Sequence, residues 1–369
     1  MKIMKFGGTS VGKPERMHQV SQLITRDAEP TIVVLSALSG TTNSLVGISD
    51  ALAKLDKQGA ITIIDTLEKH YRSFIIDLLK SDELRAKANA IIDEHFEFLK
   101  ITQRISLSDA LNKDILAQGE LMSTKLFSLY LDQEHIEHAL IPALEFMRLD
   151  ANEEPDLLTI REKLQLTLAA HPTKKLFITQ GYICRNAKGE VDNLKRGGSD
   201  YTASLVAAAV KASVCEIWTD IDGMHNNDPR IVKNTFPIRE LSFAEAAELA
   251  YFGAKILHPS TITPAKIKGV PVRLKNTMEP SAYGTLISEK STDVEIKAIA
   301  AKDNITAIYI HSTRMLNAYG FLKRVFEIFE KYKTPVDMIT TSEVSVSVTI
   351  DQTANLDSIM RELREFAEL

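Results

Sequence analysis

The chain has 369 residues, with 44 lysines and arginines against 49 aspartates and glutamates, for a formal charge of −5. Hydrophobic residues make up 44% and charged residues 25%, proportions of a globular protein that exclude the disordered and fibrous classes. The mild acidity leaves no general basic field for nucleic acid, so an anionic ligand has to be met by a few local lysines and arginines, and the chain is expected to serve a small molecule.

The N-terminus MKIMKFGGTSVG lacks the apolar stretch of a signal peptide, and no run of about 18 apolar residues follows, so neither a leader nor a membrane partner is expected. Ile3–Phe6 reads as a strand that stops at Gly7-Gly8, and from Pro14 the spacing of Met17, Val20, Leu23 and Ile24 predicts a helix. Thr31–Leu35 is a continuous apolar run, as in a strand buried on both faces, followed by a polar loop from Ser36 to Asn43. Residues 45–140 are rich in Leu, Ile, Lys and Glu and predict several helices. Strands are then expected near Leu176–Thr179, Cys215–Trp218 and Val272–Leu274, with helices near Thr202–Lys211 and Phe243–Phe252. Ser242 with Glu245 three residues on forms a capping box for the last of these. Strands alternating with helices indicate an α/β domain over residues 1–292 with a largely parallel sheet. The only cysteines, Cys184 and Cys215, are too few for a disulfide framework and too distant for a CxxC site, which suits a cytoplasmic location.

Residues 293–369 have a different texture. Strands are expected at Thr306–Ile310 and Val336–Ile339, a helix at Gly320–Lys331, and a final helical stripe from Leu356 to Phe366. Val344, Val346, Val348 and Ile350 alternate with Ser345, Ser347 and Thr349 as in a half-buried strand. The order β-α-β-β-α is one strand short of a ferredoxin-like unit.

Four segments carry residue types suited to chemistry. In Lys5 to Lys13, a lysine at a strand end precedes two glycines whose backbone N–H groups suit phosphate oxygens. Gly7 to Lys13 has Walker A spacing, but Pro14 stands where that loop needs Ser or Thr, so a P-loop is rejected; a plain Gly-Gly turn is the alternative. Arg196-Gly197-Gly198-Ser199-Asp200 precedes an Ala-rich helix and offers a carboxylate or anion cradle with Arg196 as a bidentate partner; an N-cap role for Asp200 alone is the alternative. Thr219 and Asp220 lie at a strand's carboxyl end, where α/β sheets collect ligands, and turn chemistry explains the same residues. Lys255 in the fourth segment can reach a phosphate, whereas His258 reads as a packed or capping residue. His135 and His138 have i,i+3 spacing without the companions of a metal site, and no metal-ligating set is assigned.

Together the motifs KFGGTSVG, GTTN, QGELMS, ITQGYI, RGGSDYTA, WTDIDG, NDPR, FGAKILHP and VDMITTSEVSVSVT closely resemble those of aspartate kinases, in the same order and over the whole chain. The resemblance implies an amino-acid-kinase αβα sandwich followed by a ferredoxin-like ACT domain of α+β class. It also implies transfer of the ATP γ-phosphoryl group to the β-carboxylate of L-aspartate, the first step toward lysine, threonine and methionine, with Mg²⁺ accompanying ATP. Position by position, it implies that Lys5 stabilises the transferring group beside Gly7, Gly8 and Ser10, and that Asp200 orients Lys5. Thr42, Glu120, Arg196 and Ser199 would hold aspartate, Glu120 through its α-ammonium. Thr219, Asp220, Arg230 and Lys255 would bind ATP, with His225 where relatives often have Tyr. Met315, Ala318, Gly320, Phe321, Leu322, Asp337, Ser342 and Glu343 match the lysine-binding segment of lysine-sensitive members, with Ala318 where serine is common. A homodimer through the ACT region is implied as well. Relatives usually continue through a second ACT unit, so the tail is expected to be incomplete and its regulation weakened. The alternatives are a kinase acting on another carboxylate or a nucleotide, and a catalytically silent amino-acid sensor.

Overall fold

The computed structural model describes residues 1–194, 197–252, 257–290, 296–315 and 319–369. The chain divides into two compact units, residues 1–300 and 301–369. In the first, β1 (Lys2–Phe6) leads through the short helix α1 (Gly8–Val11) to α2 (Pro14–Ile24) and β2 (Thr31–Leu35). Four helices follow: α3 (Thr41–Ala53), α4 (Lys57–Leu78), α5 (Asp82–Thr102) and α6 (Asp109–Gln133). Then come β3 (Ala139–Leu140), α7 (Ala143–Phe146), α8 (Leu157–Ala169), β4 (Leu176–Gln180) and the hairpin of β5 (Ile183–Arg185) with β6 (Val191–Asn193). The unit closes with α9 (Gly198–Val210), β7 (Cys215–Thr219), β8 (Glu240–Ser242), α10 (Phe243–Phe252), α11 (Thr263–Ile267), β9 (Val272–Asn276) and β10 (Thr285–Ser288).

Eight strands form one sheet in the order β3-β4-β2-β1-β7-β9-β10-β8, parallel from β3 to β9. β10 runs antiparallel to β9, and β8 parallel to β10. The side-chain period of two sorts each central strand between two cores. Ile3, Ile32, Val34, Phe177, Cys215 and Ile217 face one core, and Met4, Phe6, Val33, Leu35, Ile178 and Trp218 face the other. The second core is filled from α2 to α6, the first from α8, α9 and α10. Both faces are therefore covered, which is why β2 reads as an unbroken apolar run. The capping box forms as expected: the Ser242 N–H donates to Glu245 Oε2 at 2.7 Å, and the Glu245 N–H to Ser242 Oγ at 3.2 Å.

Two local expectations change. The loop after β2 ends at Gly40, whose φ of +82° turns the chain into α3, so Thr41 and Thr42 are helical. α9 begins at Gly198 rather than Thr202, after Gly197 with φ +62°. A Cβ at Gly197 would stand 1.9 Å from Thr261 Cγ2, so glycine is required by conformation and space alike. Ser199 and Asp200 thus belong to the first turn of a helix, and Gly197 takes the N-cap position considered for Asp200.

The second unit comprises β11 (Thr306–His311), α12 (Phe321–Lys331), β12 (Met338–Thr341), β13 (Ser345–Ile350) and α13 (Leu356–Leu363). The sheet is antiparallel in the order β11-β13-β12. Val346, Val348 and Ile350 point to a core shared with Val325, Phe329, Ile359 and Leu363. β12 starts two residues later than expected and all four of its residues are exposed, as befits an edge. After α13 the chain turns back: Glu368 and His311 exchange backbone hydrogen bonds of 2.8 Å each. That bridge lies on the free side of β11, where a ferredoxin-like unit carries its fourth strand, and Phe366, packed on Phe321 at 5.5 Å, holds the turn. Among the described residues, no helix is long and apolar enough to cross a membrane.

Candidate active site

The chemistry-bearing segments meet at the carboxyl ends of β1, β2, β4 and β7, sewn together by backbone hydrogen bonds. The Ser36 N–H donates to Phe6 O at 3.2 Å, the Gly181 N–H to Leu35 O at 2.8 Å, and the Thr277 N–H to Thr219 O at 2.8 Å. These loops define a mouth where open α/β sheets bind ligands.

Lys5 shares the β1 face of Ile3 and therefore points at α9. Lys5 is 8% exposed, and its ammonium lies 2.7 Å from Asp200 Oδ1, an ion contact across 195 positions of sequence. Gly7 leaves room beside it, since a Cβ there would lie 3.3 Å from Lys5 Nζ, and a Cβ on Gly8 would lie 3.1 Å from Ala37 O. Ser10 ties this loop to the end of β9 through a 2.7 Å hydrogen bond with Thr277.

Ser199 reaches Ser36 Oγ at 2.9 Å. Gly181 makes that approach feasible, because a Cβ there would sit 2.3 Å from Ser199 Cβ. Ser123 of α6 donates to Ser36 O at 2.8 Å, which brings α6 to the same mouth. Gly119 permits the close approach of α6, as a Cβ there would be 2.8 Å from Ala37 Cβ.

Glu120 follows on α6 and is 4% exposed. Burial pushes its carboxyl up to about 8, against the pull of a backbone hydrogen bond from Ala37 and the nearby Lys5 charge. A buried carboxylate of this kind calls for a cation. Tyr182 stands close enough for the Glu120 charge, after burial, to raise its phenol further. Its backbone has φ +67°, and its N–H donates to Thr202 Oγ1 at 2.9 Å. Ser36, Gly181 and Tyr182 are the residues that sequence reasoning missed; a Gly-Tyr pair straight after a buried strand was the available signal.

Not every expected residue joins this cluster. Thr42 lies exposed on the first turn of α3. Thr219 spends its hydroxyl on its own turn, accepting from the Ile221 N–H at 3.1 Å, and Asp220 is exposed beside it. His225 is held within its own segment, Nε2 at 2.7 Å from Asp222 and Nδ1 at 2.9 Å from Thr235. Arg230 forks onto Asp228, whose carboxyl it holds below the usual range. Arg196, Lys255 and Ala318 lie outside the described residues.

In the second unit Gly320, with φ +83°, caps α12, and Phe321 and Met315 pack on the core. Leu322, Ser342 and Glu343 are exposed. Asp337 is half-buried with its side chain 5% exposed, Lys302 Nζ lies 3.6 Å from it, and the same ammonium reaches Asp351 at 2.9 Å.

A three-layer αβα unit with a buried lysine and carboxylate at the mouth of its sheet defines a class, and comparison agrees. The amino acid kinase family model matches residues 1–276, and an ACT domain model matches 308–358. The chain belongs to the amino acid kinase family, and within it to the aspartokinases. It is 37% identical to lysine-sensitive aspartokinase 3 of Escherichia coli, over 96% of this chain and 79% of that one. The crystal structure of E. coli aspartokinase III with aspartate and ADP covers the whole chain at a TM-score of 0.83 and 35% identity, with 84% of its own length matched. The same enzyme with lysine and aspartate gives 0.81.

Proposed function

We propose that Lys5, Asp200, Ser199 and Glu120 form the centre at which this aspartate kinase works. The bond between the β-γ bridging oxygen and the γ-phosphorus of ATP breaks, the aspartate β-carboxylate oxygen bonds to that phosphorus, and 4-phospho-L-aspartate and ADP leave. The observation that carries the reading is the buried Lys5–Asp200 contact of 2.7 Å beside a buried Glu120 whose carboxyl burial pushes up.

Phosphoryl transfer asks a protein for positioning and for cations around spreading negative charge. Lys5 supplies a cation from a site with little water, where its field is strong. Asp200 keeps that ammonium from swinging away before ATP enters. Ser199 and the first turn of α9 present a hydroxyl and backbone N–H groups to carboxylate, with Thr42 and Arg196 completing the aspartate site. Glu120 takes the α-ammonium, which selects an amino acid over a simple dicarboxylate. Gly7, Gly8 and Ser10 line the phosphate side, and Thr219, Asp220, His225, Arg230 and Lys255 serve ATP.

Among the described residues no cluster of three metal-ligating side chains occurs. Mg²⁺ would be carried on the ATP phosphates, with the exposed Asp220 carboxylate available to touch it. When bound, the ion neutralises phosphate charge. In the tail, Met315, Ala318, Gly320, Phe321, Leu322, Asp337, Ser342 and Glu343 form the proposed site for L-lysine as inhibitor, Asp337 and Glu343 matching its charge. Homodimerisation through the second unit and a cytoplasmic location complete the reading, the latter supported by two free, buried thiols.

The test is ADP release with aspartate, glutamate and acetylglutamate, on the wild type and on Lys5→Ala. Aspartate-dependent turnover that falls about a hundredfold or more in Lys5→Ala is expected. Turnover with glutamate instead, or an unchanged rate in the variant, would refute the assignment.

A further inference from the structure

The helix that carries Glu120 is locked from behind by a histidine with no place in the chemistry above. His95 of α5 is 6% exposed, and its ring joins two residues of α6: Nδ1 lies 2.6 Å from Gln118 Oε1, and Nε2 lies 3.0 Å from Lys125 Nζ. A lysine ammonium can only donate, so Nε2 is the acceptor and Nδ1 carries the hydrogen given to Gln118. Gln118 is itself oriented, its Nε2 donating to Asp114 O at 2.8 Å. Burial, with the Lys125 charge adding to it, holds the imidazole below its ordinary value, consistent with a neutral ring.

Gln118 and Lys125 are seven residues apart and lie on one face of α6. Glu120, two residues after Gln118, is about 200° round the helix and faces the substrate mouth. His95 thus never touches Glu120, yet it grips α6 at two points two turns apart. The middle of α6 is buried all round, from Ala117 to Thr124 apart from half-buried Leu121. Apolar packing resists separation of helices but is less exacting about small rotations, whereas directional hydrogen bonds specify one setting. At a radius of about 5–6 Å, a 10° rotation moves a side-chain tip by about 1 Å, and such an error in placing a substrate can cost about a hundredfold.

We propose that His95 is a positioning residue for aspartate binding: bridging Gln118 and Lys125, it fixes the rotation of α6 and so the place of the Glu120 carboxylate. The inference rests on Glu120 being the group that receives the α-ammonium.

The experiment compares Michaelis constants for aspartate and for ATP in Glu120→Gln, His95→Ala, His95→Gln and Gln118→Leu, with thermal midpoints measured alongside. His95→Ala should raise the aspartate KM about tenfold or more while the ATP KM changes less than about twofold. His95→Gln, whose amide can both donate and accept, should recover most of the loss. Gln118→Leu removes the link at a less enclosed position and should reproduce the shift, so the test survives if His95→Ala does not fold. If Glu120→Gln raises the aspartate KM but neither His95→Ala nor Gln118→Leu does, the positioning role is overturned and the reading of Glu120 stands. If Glu120→Gln leaves the aspartate KM unchanged, both are overturned.

Discussion

Replacing Glu120 by Gln should make the protein more stable and a worse enzyme, and the size of the first effect follows from its burial. A free glutamate carboxyl titrates at 4.5, and in the fold burial pushes this one up to about 8. Between those values the folded protein holds a proton that the unfolded chain has released. Stability contributed by the group is therefore fully present below pH 4.5 and is lost as pH rises through 8. At about 1.4 kcal/mol per pH unit, the loss is about 3 kcal/mol by pH 7 and about 5 kcal/mol above pH 8. Glutamine keeps the shape without the titration. Urea unfolding of Glu120→Gln and wild type at pH 5, 7 and 8.5 should show a gain that grows with pH and reaches about 3 kcal/mol at neutrality. The aspartate KM tells the other half. An ammonium needs the ionised carboxylate, so wild-type affinity should rise about tenfold per pH unit from 6 toward 8, while the variant binds about tenfold to a hundredfold more weakly at pH 8 and without that slope. Equal stability of the two proteins at pH 7, or an aspartate KM in the variant that keeps the wild-type pH dependence, would refute the reasoning.

Gly181→Ala places a methyl 2.3 Å from Ser199 Cβ, where the neighbour is helix rather than a flexible tip. A loss of about 1–3 kcal/mol in unfolding free energy is expected, together with a raised aspartate KM; a variant as stable and active as wild type would show that α9 is not held where the structure puts it. In the second unit, Asp337→Asn should weaken inhibition by lysine about tenfold or more without changing turnover in its absence, read by titrating lysine at fixed ATP and aspartate. Undiminished lysine inhibition would remove Asp337 from the effector site.

Much of this was legible before any coordinate. The alternation from Val344 to Ile350 named β13 and its buried face, the Ser242–Glu245 pair named the start of α10, and the apolar run at Thr31 named a strand covered on both sides. Each is a rule of local periodicity or local capping, satisfied within a few residues. The motifs that carry Lys5, Ser199, Asp200 and Glu120 were also readable, because they are specific. Harder to read were the starts of α3 and α9, which depend on left-handed glycines at 40 and 197, and the edge position of β12. A positive φ and a missing strand neighbour are consequences of what packs nearby, not of composition.

The sequence by itself therefore determined the alternation of strand and helix, the family, and the residue types at the site. Tertiary structure alone decided which of them meet. Lys5 and Asp200 are joined because parallel strand β1 and helix α9 share one face of the sheet. Ser10 and Thr277 are hydrogen-bonded across 267 positions. The Glu120 carboxyl is pushed up because the middle of α6 lies buried. Backbone preferences act over a few residues, whereas burial and electric fields act across whatever the chain brings together, and the candidate site is built from the second kind of contact.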